Sequence, residues 1–345
     1  MNNNILLTIR NLKTHFFTEE GVVQALDGVD LEIYEKEIIG LVGETGSGKS
    51  VTALSIMQLI PQPGFIVDGE IIFKGEPLHA MGEEQMRQIR GKEITMIFQD
   101  PMNALNPVFT VGNQIAETLM LHNDITYREA LNQSIELLRK LNIPKPERIV
   151  QSYPHELSGG MRQRIQIAIG LACQPSLLIA DEPTTALDAT IEVQVLELIK
   201  KLRDEFNTSI MLITHDLGVI AEMCDRVVVM YAGNIVEKSS VKNIFKKPLH
   251  PYTQALLGAI PYAERKKRSR LTTIPGTVPN LISPPSGCRF HPRCKHAMEV
   301  CKTLKPVLFE EESGHWVSCF LQAKNKEYAL SKGGSFEPLP DRMIY

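Results

Sequence analysis

Short, almost continuously apolar runs recur along the first two thirds of the chain, separated by stretches with a helical pattern. The four clearest runs are "EIIGLVG" (37–43), "EITMIFQD" (93–100), "SLLIADEP" (176–183) and "TSIMLITHD" (208–216). Runs of this length and β-branched content are typical of strands buried on both faces. Strands alternating with helices predict an α/β fold around a mostly parallel sheet.

Two other regions have a different pattern. At the N-terminus, "LLTIRNLKTHFF" and "VVQALDGVDLEIY" alternate in polarity and are joined by "TEEG", which predicts an antiparallel β subdomain. Between about 101 and 175 the strand signal is replaced by helical patterns such as "TYREALNQSIELLRKLNI", with Leu131, Ile135 and Leu138 on one face. We interpret that face as core packing and the region as an inserted helical subdomain.

The texture of the chain changes after "RVVVMYAGNIVEK", which we interpret as a hairpin turning at Gly233-Asn234. Two short helical patterns follow in "SVKNIFKKPLHPYTQALLGAIP", then the basic run 265–270 and a stretch rich in Pro and Gly. The short basic run is typical of a solvated linker. We therefore place a domain boundary near residue 238, with a first domain at 1–238 and a C-terminal extension at 239–345.

Composition narrows the class of protein. The 345 residues have a formal net charge of -3 and are 22% charged, as expected for a soluble globular protein and not for a nucleic-acid-coating one. The N-terminus has no signal-peptide pattern, and apolar runs such as "RVVVMYAG" end far short of the length of a membrane span. We expect a cytosolic protein whose contact with a membrane would come through partners.

The strongest chemical motif is "GETGSGKS", Gly43 to Ser50, which fits the phosphate-binding pattern G-x-x-x-x-G-K-[ST] between a predicted strand and a predicted helix. Gly46 and Gly48 let successive backbone N–H groups point at phosphate oxygens. Lys49 is expected to reach the β- and γ-phosphates of a nucleotide, and the Ser50 hydroxyl to ligate Mg²⁺.

A second motif ends the apolar strand "LLIADE" in two carboxylates. Asp181, at the strand's carboxyl end, is expected to hold Mg²⁺ directly or through water. Glu182 is our candidate for the general base that polarises the attacking water.

Three weaker features accompany these motifs. Ser158-Gly159-Gly160 begins an amphipathic helix and would form a second anion site, while Gln99 and His215 each end a predicted strand. Taken singly, each is a weak signal: Ser-Gly-Gly before a helix is usually a helix cap, and a Gln or His at a strand end is usually a surface or core residue.

The order of the P-loop, Gln99, "LSGGM", "LLIADEP", "TTALD" and His215 resembles the nucleotide-binding subunit of ATP-binding cassette (ABC) proteins over about residues 5 to 238. The resemblance implies that Gln99 contacts Mg²⁺ or the attacking water and that His215 contacts the γ-phosphate. Ser158 to Met161 would be the signature and Asp188 the D-loop aspartate, both acting on ATP bound to a partner. Met161 stands where the family most often has Gln.

The resemblance also implies the nucleotide-binding set. The residues expected to contact ATP are Phe17, Gly43, Glu44, Thr45, Gly46, Ser47, Gly48, Lys49, Ser50, Val51, Gln99, Asp181 and His215. Phe17 would stack on adenine, with Phe16 as the alternative, and Mg²⁺ would lie at Ser50, Gln99 and Asp181. In this family two such domains pack head to tail, each P-loop facing the other's signature.

The extension narrows the branch. "KKPLHPYTQALLGAIP", centred on His250-Pro251-Tyr252, and "GTVPNLISPPSGCRFHPRC" resemble the D-type ATP-binding subunits of oligopeptide/dipeptide permeases. The resemblance implies an ATPase at the cytoplasmic face of the membrane, paired with an F-type ATPase, two permeases and an external solute-binding protein. No nucleic-acid partner is expected. Import of nickel chelates or oligosaccharides stays an alternative, as does, more remotely, a translation or DNA-repair ATPase.

Four of the six cysteines, Cys288, Cys294, Cys301 and Cys319, form a C-x5-C-x6-C-x17-C pattern. A reducing cytosol disfavours disulfides, zinc usually uses tighter pairs, and iron–sulfur ligation tolerates this spacing. The family resemblance adds support for a [4Fe-4S] cluster, so we expect a metal-binding extension carrying that cluster or, alternatively, Zn²⁺, with free thiols as the third alternative. His291 and His296 are alternative ligands, and Cys173 and Cys224 are interpreted as buried apolar residues.

Overall fold

The computed structural model describes residues 4–99, 105–184, 188–259 and 274–323. Within them the N-terminal hairpin is formed by β1 (Ile5–Thr18) and β2 (Gly21–Tyr34). A four-stranded antiparallel sheet, order β2-β1-β4-β5, is completed by β4 (Gly64–Phe73) and β5 (Glu76–Pro77). The predicted antiparallel β subdomain is therefore confirmed.

The second sheet is the predicted parallel core. Its parallel strands are β3 (Ile38–Val42), β6 (Ile94–Ile97), β7 (Leu177–Asp181), β8 (Ser209–Ile213) and β9 (Arg226–Tyr231). They lie side by side in the order β9-β3-β8-β7-β6. Every residue of β3, β7 and β8 is buried, which explains their continuously apolar sequences.

Helices cover this sheet and form the inserted region. Before the insertion lie α1 (Lys49–Ile56) and α2 (Glu83–Ile89). The insertion contributes α3 (Val111–His122), α4 (Tyr127–Lys140), α5 (Pro146–Ile149) and α6 (Gly159–Leu171). After β7 come α7 (Ala189–Phe206), α8 (Leu217–Met223), α9 (Val241–Lys246), α10 (Pro251–Gly258) and α11 (Glu299–Thr303).

The inserted helices pack as their apolar pattern predicts. Leu138 is fully buried, and Leu131 and Ile135 are partly buried against the same core cluster. That cluster continues into the parallel sheet through residues such as Ile97 and Leu178. A second core fills the space around the antiparallel sheet, α1 and the parallel strands.

The parallel sheet continues into three antiparallel strands, β10 (Asn234–Ser240), β11 (Phe309–Glu312) and β12 (His315–Val317). The β9–β10 turn lies at Ala232-Gly233, whose φ angles of 47° and 79° are both left-handed. The predicted turn at Gly233-Asn234 is therefore off by one residue, because Asn234 already pairs with Tyr231.

The C-terminal extension is built into the main sheet. The strand β12 pairs with β10 at Glu237↔Val317 and Lys238↔Trp316. The boundary proposed near residue 238 thus falls within β10, and chain from both sides of it shares one sheet. None of the helices in the described ranges combines the length and the apolar character that a membrane span requires.

Candidate functional site

The predicted motifs meet at one edge of the parallel sheet. The P-loop follows β3, Asp181 ends β7, Gln99 lies two residues after β6 and His215 two residues after β8. Because these strands are parallel and adjacent, their carboxyl ends share an edge, where α/β proteins bind ligands.

Backbone shape and packing set the course of the P-loop. Gly46 and Gly48 have φ angles of 79° and 104°, a region that favours glycine. A Cβ at Gly48 would lie 2.7 Å from Leu26 Cδ2 and 3.0 Å from the Ala25 carbonyl oxygen, so a side chain is excluded there. A Cβ at Gly46 would meet no described atom within 4 Å, so the loop faces open space on that side.

Lys49 opens α1, and its ammonium is held by the loop itself. Its Nζ donates to the carbonyl oxygens of Gly43 at 2.8 Å and Glu44 at 3.2 Å. Burial lowers the pKa of Lys49, while the carboxylates of Glu182, Asp181 and Glu44 raise it. The ammonium therefore lies within the electrostatic field of three carboxylates. From the same position it can bind the phosphates of an incoming nucleotide.

Ser50 and Asp181 form an oxygen-rich pair beside Lys49. Burial raises the pKa of Asp181, while a hydrogen bond from Ser50 acts to lower it. The other carboxylate oxygen of Asp181, Oδ1, is buried and has no hydrogen-bond partner among the described residues. An orphaned carboxylate oxygen next to a serine hydroxyl fits Mg²⁺, which prefers hard oxygen ligands and completes its shell with phosphate and water.

Glu182 is held from two sides. Gln99 Nε2 donates to its Oε2 at 2.8 Å, and His215 Nδ1 lies 3.3 Å from its Oε1. The backbone of Glu182 has a left-handed φ of 47°, and its N–H donates to the Ile213 carbonyl at 2.9 Å. The sequence predicted all three of these side chains at strand ends, and the structure brings them into one hydrogen-bonded group.

The signature lies with the predicted D-loop residue. Ser158 caps α6, accepting from Met161 N at 3.3 Å, and Asp188 accepts from Ile191 N at 3.0 Å at the start of α7. A Cβ on Gly160 would lie 2.8 Å from Ile191 Cγ2, so the two helix starts are in contact. A Cβ on Gly159 would meet no described atom within 4 Å, which leaves this helix end open.

One connection in this region was missed by the sequence reasoning. Gln166, on the signature helix α6, donates from Nε2 to the Phe98 carbonyl at 3.2 Å. Phe98 directly precedes Gln99, so the signature helix is bonded to the segment that holds Glu182. The sequence signal that could have indicated this contact is a polar residue, Gln166, on the apolar face of the predicted helix.

The adenine-stacking residue stays a prediction. Phe17 is 49% exposed and packs edge-to-face on Phe65, with ring centroids 6.0 Å apart. Phe16 lies over Gly64, where a Cβ would be 2.6 Å from its ring. Both rings belong to the end of β1, so substitution is needed to choose between them.

The expected metal-binding extension is not supported. The structure records Cys288, Cys294, Cys301 and Cys319 as free thiols, and within the described chain no group of three or more His, Cys, Asp or Glu side chains is placed to hold a metal ion. Burial raises the pKa of Cys288 to about 11 and that of Cys319 to about 12, whereas metal ligation needs the thiolate. Instead, all four lie in apolar clusters: Cys288 and Cys301 pack with Val300 and Phe320, and Cys294 and Cys319 belong to two others.

The extension also reaches the P-loop, which the sequence reasoning did not predict. Tyr252 and Arg293 both bond to Glu44, the second residue of the phosphate-binding motif. Tyr252 belongs to the "HPY" triplet that marked the branch, but nothing local in the sequence indicated its contact.

Fold and site together define a P-loop nucleotide-binding protein with an inserted helical region. Residues 26–185 match the family described as "ABC transporter", and residues 236–301 match "Oligopeptide/dipeptide transporter, C-terminal region". The chain belongs to the ATP-binding proteins of ABC transporters, in the branch that carries this C-terminal region.

Curated relatives resemble the chain over nearly its whole length. It is 54% identical to a probable peptide ABC transporter ATP-binding protein, y4tR of Sinorhizobium fredii, over 92% of this chain and 95% of that protein. It is 51% identical to the oligopeptide transport ATP-binding protein AppD of Bacillus subtilis (92% and 96% covered). The dipeptide transport ATP-binding protein DppD of the same organism is 47% identical (95% and 98%).

Solved structures give the same fold. The dimeric structure of MJ0796, a bacterial ABC transporter cassette, matches with a TM-score of 0.62 at 27% identity, covering 68% of this chain and 99% of that one. The ABC transporter component cbiO1 of Clostridium perfringens matches with a TM-score of 0.60 at 25% identity, covering 71% and 92%.

Proposed function

We propose that this chain is the ATP-binding and ATP-hydrolysing motor subunit of an importer for di- or oligopeptides. The observation that carries the proposal is the group at the sheet edge, where Glu182 is bonded by Gln99 and His215 beside Lys49. The relatives named for peptide, oligopeptide and dipeptide transport support the choice of solute.

The geometry supports a defined division of labour in hydrolysis. The P-loop amides and the Lys49 ammonium bind the β- and γ-phosphates. Ser50 and Asp181, with Gln99, would hold Mg²⁺, which when bound neutralises phosphate charge. Glu182 accepts a proton from the attacking water while the water oxygen bonds to the γ-phosphorus. The bond from the γ-phosphorus to the β–γ bridging oxygen breaks, and ADP departs with that oxygen.

Gln99 and His215 orient Glu182 before the reaction. A carboxylate fixed by two partners is already oriented toward the attacking water. Such positioning, together with electrostatic stabilisation, is the main contribution that a protein makes to phosphoryl transfer. His215, whose side chain is 69% exposed, is placed to exchange its contact with Glu182 for one with the γ-phosphate.

A second ATPase chain is needed to complete the site. The open N-terminal end of α6, at Ser158 to Met161 beside Asp188, presents N–H groups and a positive helix end suited to phosphate. We propose that it faces the nucleotide on a head-to-tail partner of the F type. Support comes from the dimeric structures solved for the MJ0796 cassette.

The same proposal places permease subunits against the helical region at the cytoplasmic face of the membrane. Exposed apolar side chains cluster in sequence around Gln99: Phe98 is 45% exposed, Val108 70% and Phe109 48%. We propose that these exposed side chains contact the permeases. The sequence after Gln99, "DPMNALNPVFTVGNQ", is the segment through which we propose that the signal passes to the permeases, and its residues 100–104 lie outside the described residues. The external solute-binding protein would contact the permeases and not this chain.

The decisive experiment uses the assembled complex in proteoliposomes with the substitution Glu182→Gln. We expect nucleotide binding to be kept while ATP turnover and peptide uptake are both lost. Turnover at the wild-type rate would refute the role of Glu182.

Competition among labelled peptides, a nickel chelate and an oligosaccharide in the wild-type complex identifies the transported solute. Co-purification tests the transport class: recovery of ribosomes or DNA in place of permeases would refute the proposal that the complex is an importer.

We propose no metal role for the extension, since the described residues offer no group of side chains placed to hold a metal ion. The pKa of Cys319 is raised mainly by burial and further by the other three cysteines, so the four thiols interact. Whether they bind a metal in the purified protein can therefore be measured. Iron and zinc analysis of anaerobically purified protein, with absorbance near 400 nm, distinguishes a cluster, a zinc site and metal-free thiols. About four irons per chain would restore the predicted cluster, and a colourless, metal-free sample supports packed thiols.

A further inference from the structure

Glu44, the second residue of the P-loop motif, is held by two residues of the C-terminal extension. Its backbone N–H donates to the Tyr252 phenol oxygen at 2.9 Å. Its carboxylate accepts two hydrogen bonds from the Arg293 guanidinium, at 2.7 Å to Oε2 and 3.0 Å to Oε1. These contacts span 208 and 249 residues of sequence, so they fix the phosphate-binding loop to a distant part of the chain.

Both holding residues are themselves fixed. Tyr252 is fully buried, with its ring 4.7 Å from that of Tyr231 and 5.3 Å from that of Phe290. The Arg293 side chain is only 6% exposed; its Nε donates to the Pro275 carbonyl at 2.8 Å and its Nη1 to the Tyr231 hydroxyl at 3.3 Å. The extension therefore presents these groups in one geometry before any nucleotide arrives.

The "HPY" triplet builds this arrangement. His250 caps α10 by accepting the Tyr252 N–H on Nδ1 at 3.0 Å, and Pro251 takes the first helical position. The His250 N–H in turn donates to the buried Glu237 carboxylate at 2.8 Å. The triplet thus aims the tyrosine hydroxyl out of a buried helix start toward the P-loop.

Glu44 transmits this hold to the phosphate site. Its carbonyl oxygen accepts the Ser47 N–H at 3.1 Å, which closes the turn of the loop, and the Lys49 ammonium at 3.2 Å. A displacement of Glu44 would therefore move both the turn and the cation.

Charge gives the Arg293 contact a second effect. Burial lowers the pKa of Lys49, and the Glu44 carboxylate is one of three that oppose this shift, so it lies within electrostatic reach of the place a triphosphate would occupy. An uncompensated carboxylate there would repel the nucleotide. A bidentate guanidinium neutralises it in the geometry that binds carboxylates most firmly.

We infer that Arg293 and Tyr252 are positioning residues for nucleotide binding, which hold Glu44 so that the P-loop keeps its phosphate-binding shape and a neutralised charge. They act through Glu44 and touch no reacting atom. The inference rests on the proposed ATP-driven function and gives the extension a part in it.

The test compares Arg293→Gln, Glu44→Gln and the double substitution in the full-length chain within the assembled complex. We expect Arg293→Gln to raise KM for ATP about tenfold, the effect of losing hydrogen bonds to a charged group, with kcat changing much less. The double variant should return most of the way to the KM of Glu44→Gln alone, because no unpaired carboxylate remains. Arg293→Lys should fall between wild type and Arg293→Gln.

Two further variants keep the test decisive. Lys305→Gln removes another link between the extension and the first domain, at Asp27 of β2, and should lower thermal stability without raising KM. Tyr252→Phe removes only the hydroxyl that accepts the Glu44 N–H, and gives a smaller rise in KM if Arg293→Gln does not accumulate as folded protein.

An unchanged KM in folded Arg293→Gln and Tyr252→Phe would overturn the inference. So would an equal rise in Lys305→Gln, which would indicate general loosening, or a failure of Glu44→Gln to rescue Arg293→Gln. A wild-type complex with no ATP turnover would instead refute the proposed function.

Discussion

The amide of Gln99 donates to the carboxylate of Glu182 across 83 residues of sequence, at 2.8 Å. Gln99 follows β6 and Glu182 follows the adjacent strand β7, so the register of the parallel sheet sets their separation. The bond joins the segment next to the exposed apolar side chains to the residue proposed as general base. Movement of that segment would therefore displace the Glu182 carboxylate or break its bond with Gln99.

We therefore expect Gln99→Ala to lower kcat for ATP about 10- to 100-fold, the cost of a misplaced catalytic group, with the Kd for ATP nearly unchanged. Steady-state ATPase rates and equilibrium nucleotide binding measure the two quantities. Gln85→Ala is a matched control, since Gln85 is an exposed glutamine whose side chain accepts the Gly82 N–H at 3.1 Å at the start of α2. A loss of binding equal to the loss of rate would contradict the orienting role of Gln99.

The choice between Phe17 and Phe16 gives a second prediction. Base–aromatic stacking contributes about 1–3 kcal/mol, so Phe17→Ala should raise the Kd for ATP roughly 5- to 150-fold and affect GTP similarly. Phe16→Ala is the matched control on the neighbouring position. Isothermal titration of the full chain measures both, and a loss confined to Phe16→Ala would transfer the stacking role to Phe16.

The predictable part of this molecule is the part whose signals are local. Asp181 ends β7 and Gln99 follows β6 by two residues, while Lys49 is joined to β3 by the P-loop, and the apolar run before each one marks its strand. Parallel order then brings the strand ends together without further information. The capping of α6 by Ser158 is local in the same way, since one side chain and the N–H three residues on determine it.

The unpredicted part depends on contacts with no local signal. The pairing of Arg293 with Glu44 crosses 249 residues, and nothing near Arg293 separates it from a surface arginine. Strands β11 and β12 were missed because "FEEE" and "HWV" are short, and β11 is acidic. The cysteine spacing misled the reasoning in another way, because thiols suit both metal ligation and small buried positions.

The buried carboxylate Glu237 leads to a third prediction. It is fully buried on β10 and accepts hydrogen bonds from the N–H groups of Leu249 and His250 and from His315 Nε2, each at 2.8 Å. Glu237→Ala would leave these donors unpaired, so we expect a loss of about 3–5 kcal/mol in the free energy of unfolding. Urea denaturation measures it.

Glu312→Ala is the control for Glu237→Ala, because the carboxylate of Glu312 pairs with Lys247 at the surface. Such pairs contribute about 0–1 kcal/mol. Limited proteolysis should also cut the extension of Glu237→Ala faster than that of the control. Equal stability of the two variants would show that the network around Glu237 does not hold the extension.

His250 makes the stability of this network depend on pH. Burial lowers the pKa of His250 from its ordinary 6.5 to about 4, with Glu237 opposing the shift. Its ring accepts the Tyr252 N–H on Nδ1 at 3.0 Å and lies 5.7 Å from the ring of Phe290. The Glu237 carboxylate, which accepts the backbone N–H of His250, is the charged group that acts on it. Between pH 6.5 and 4 the unfolded chain binds a proton at this position that the folded chain does not, so folding stability falls as the pH falls through this window.

The expected size of the effect is about 1.4 kcal/mol per pH unit at its steepest, and about 3 kcal/mol over the whole window. His250→Asn keeps a side-chain acceptor for the Tyr252 N–H at the start of α10 but does not titrate there. Urea denaturation of both chains at pH 6.5, 5.5 and 4.5 isolates the histidine, since the other titrating groups are shared. The wild-type free energy of unfolding should fall more steeply than that of His250→Asn, and parallel curves would mean that His250 takes up its proton in the folded protein.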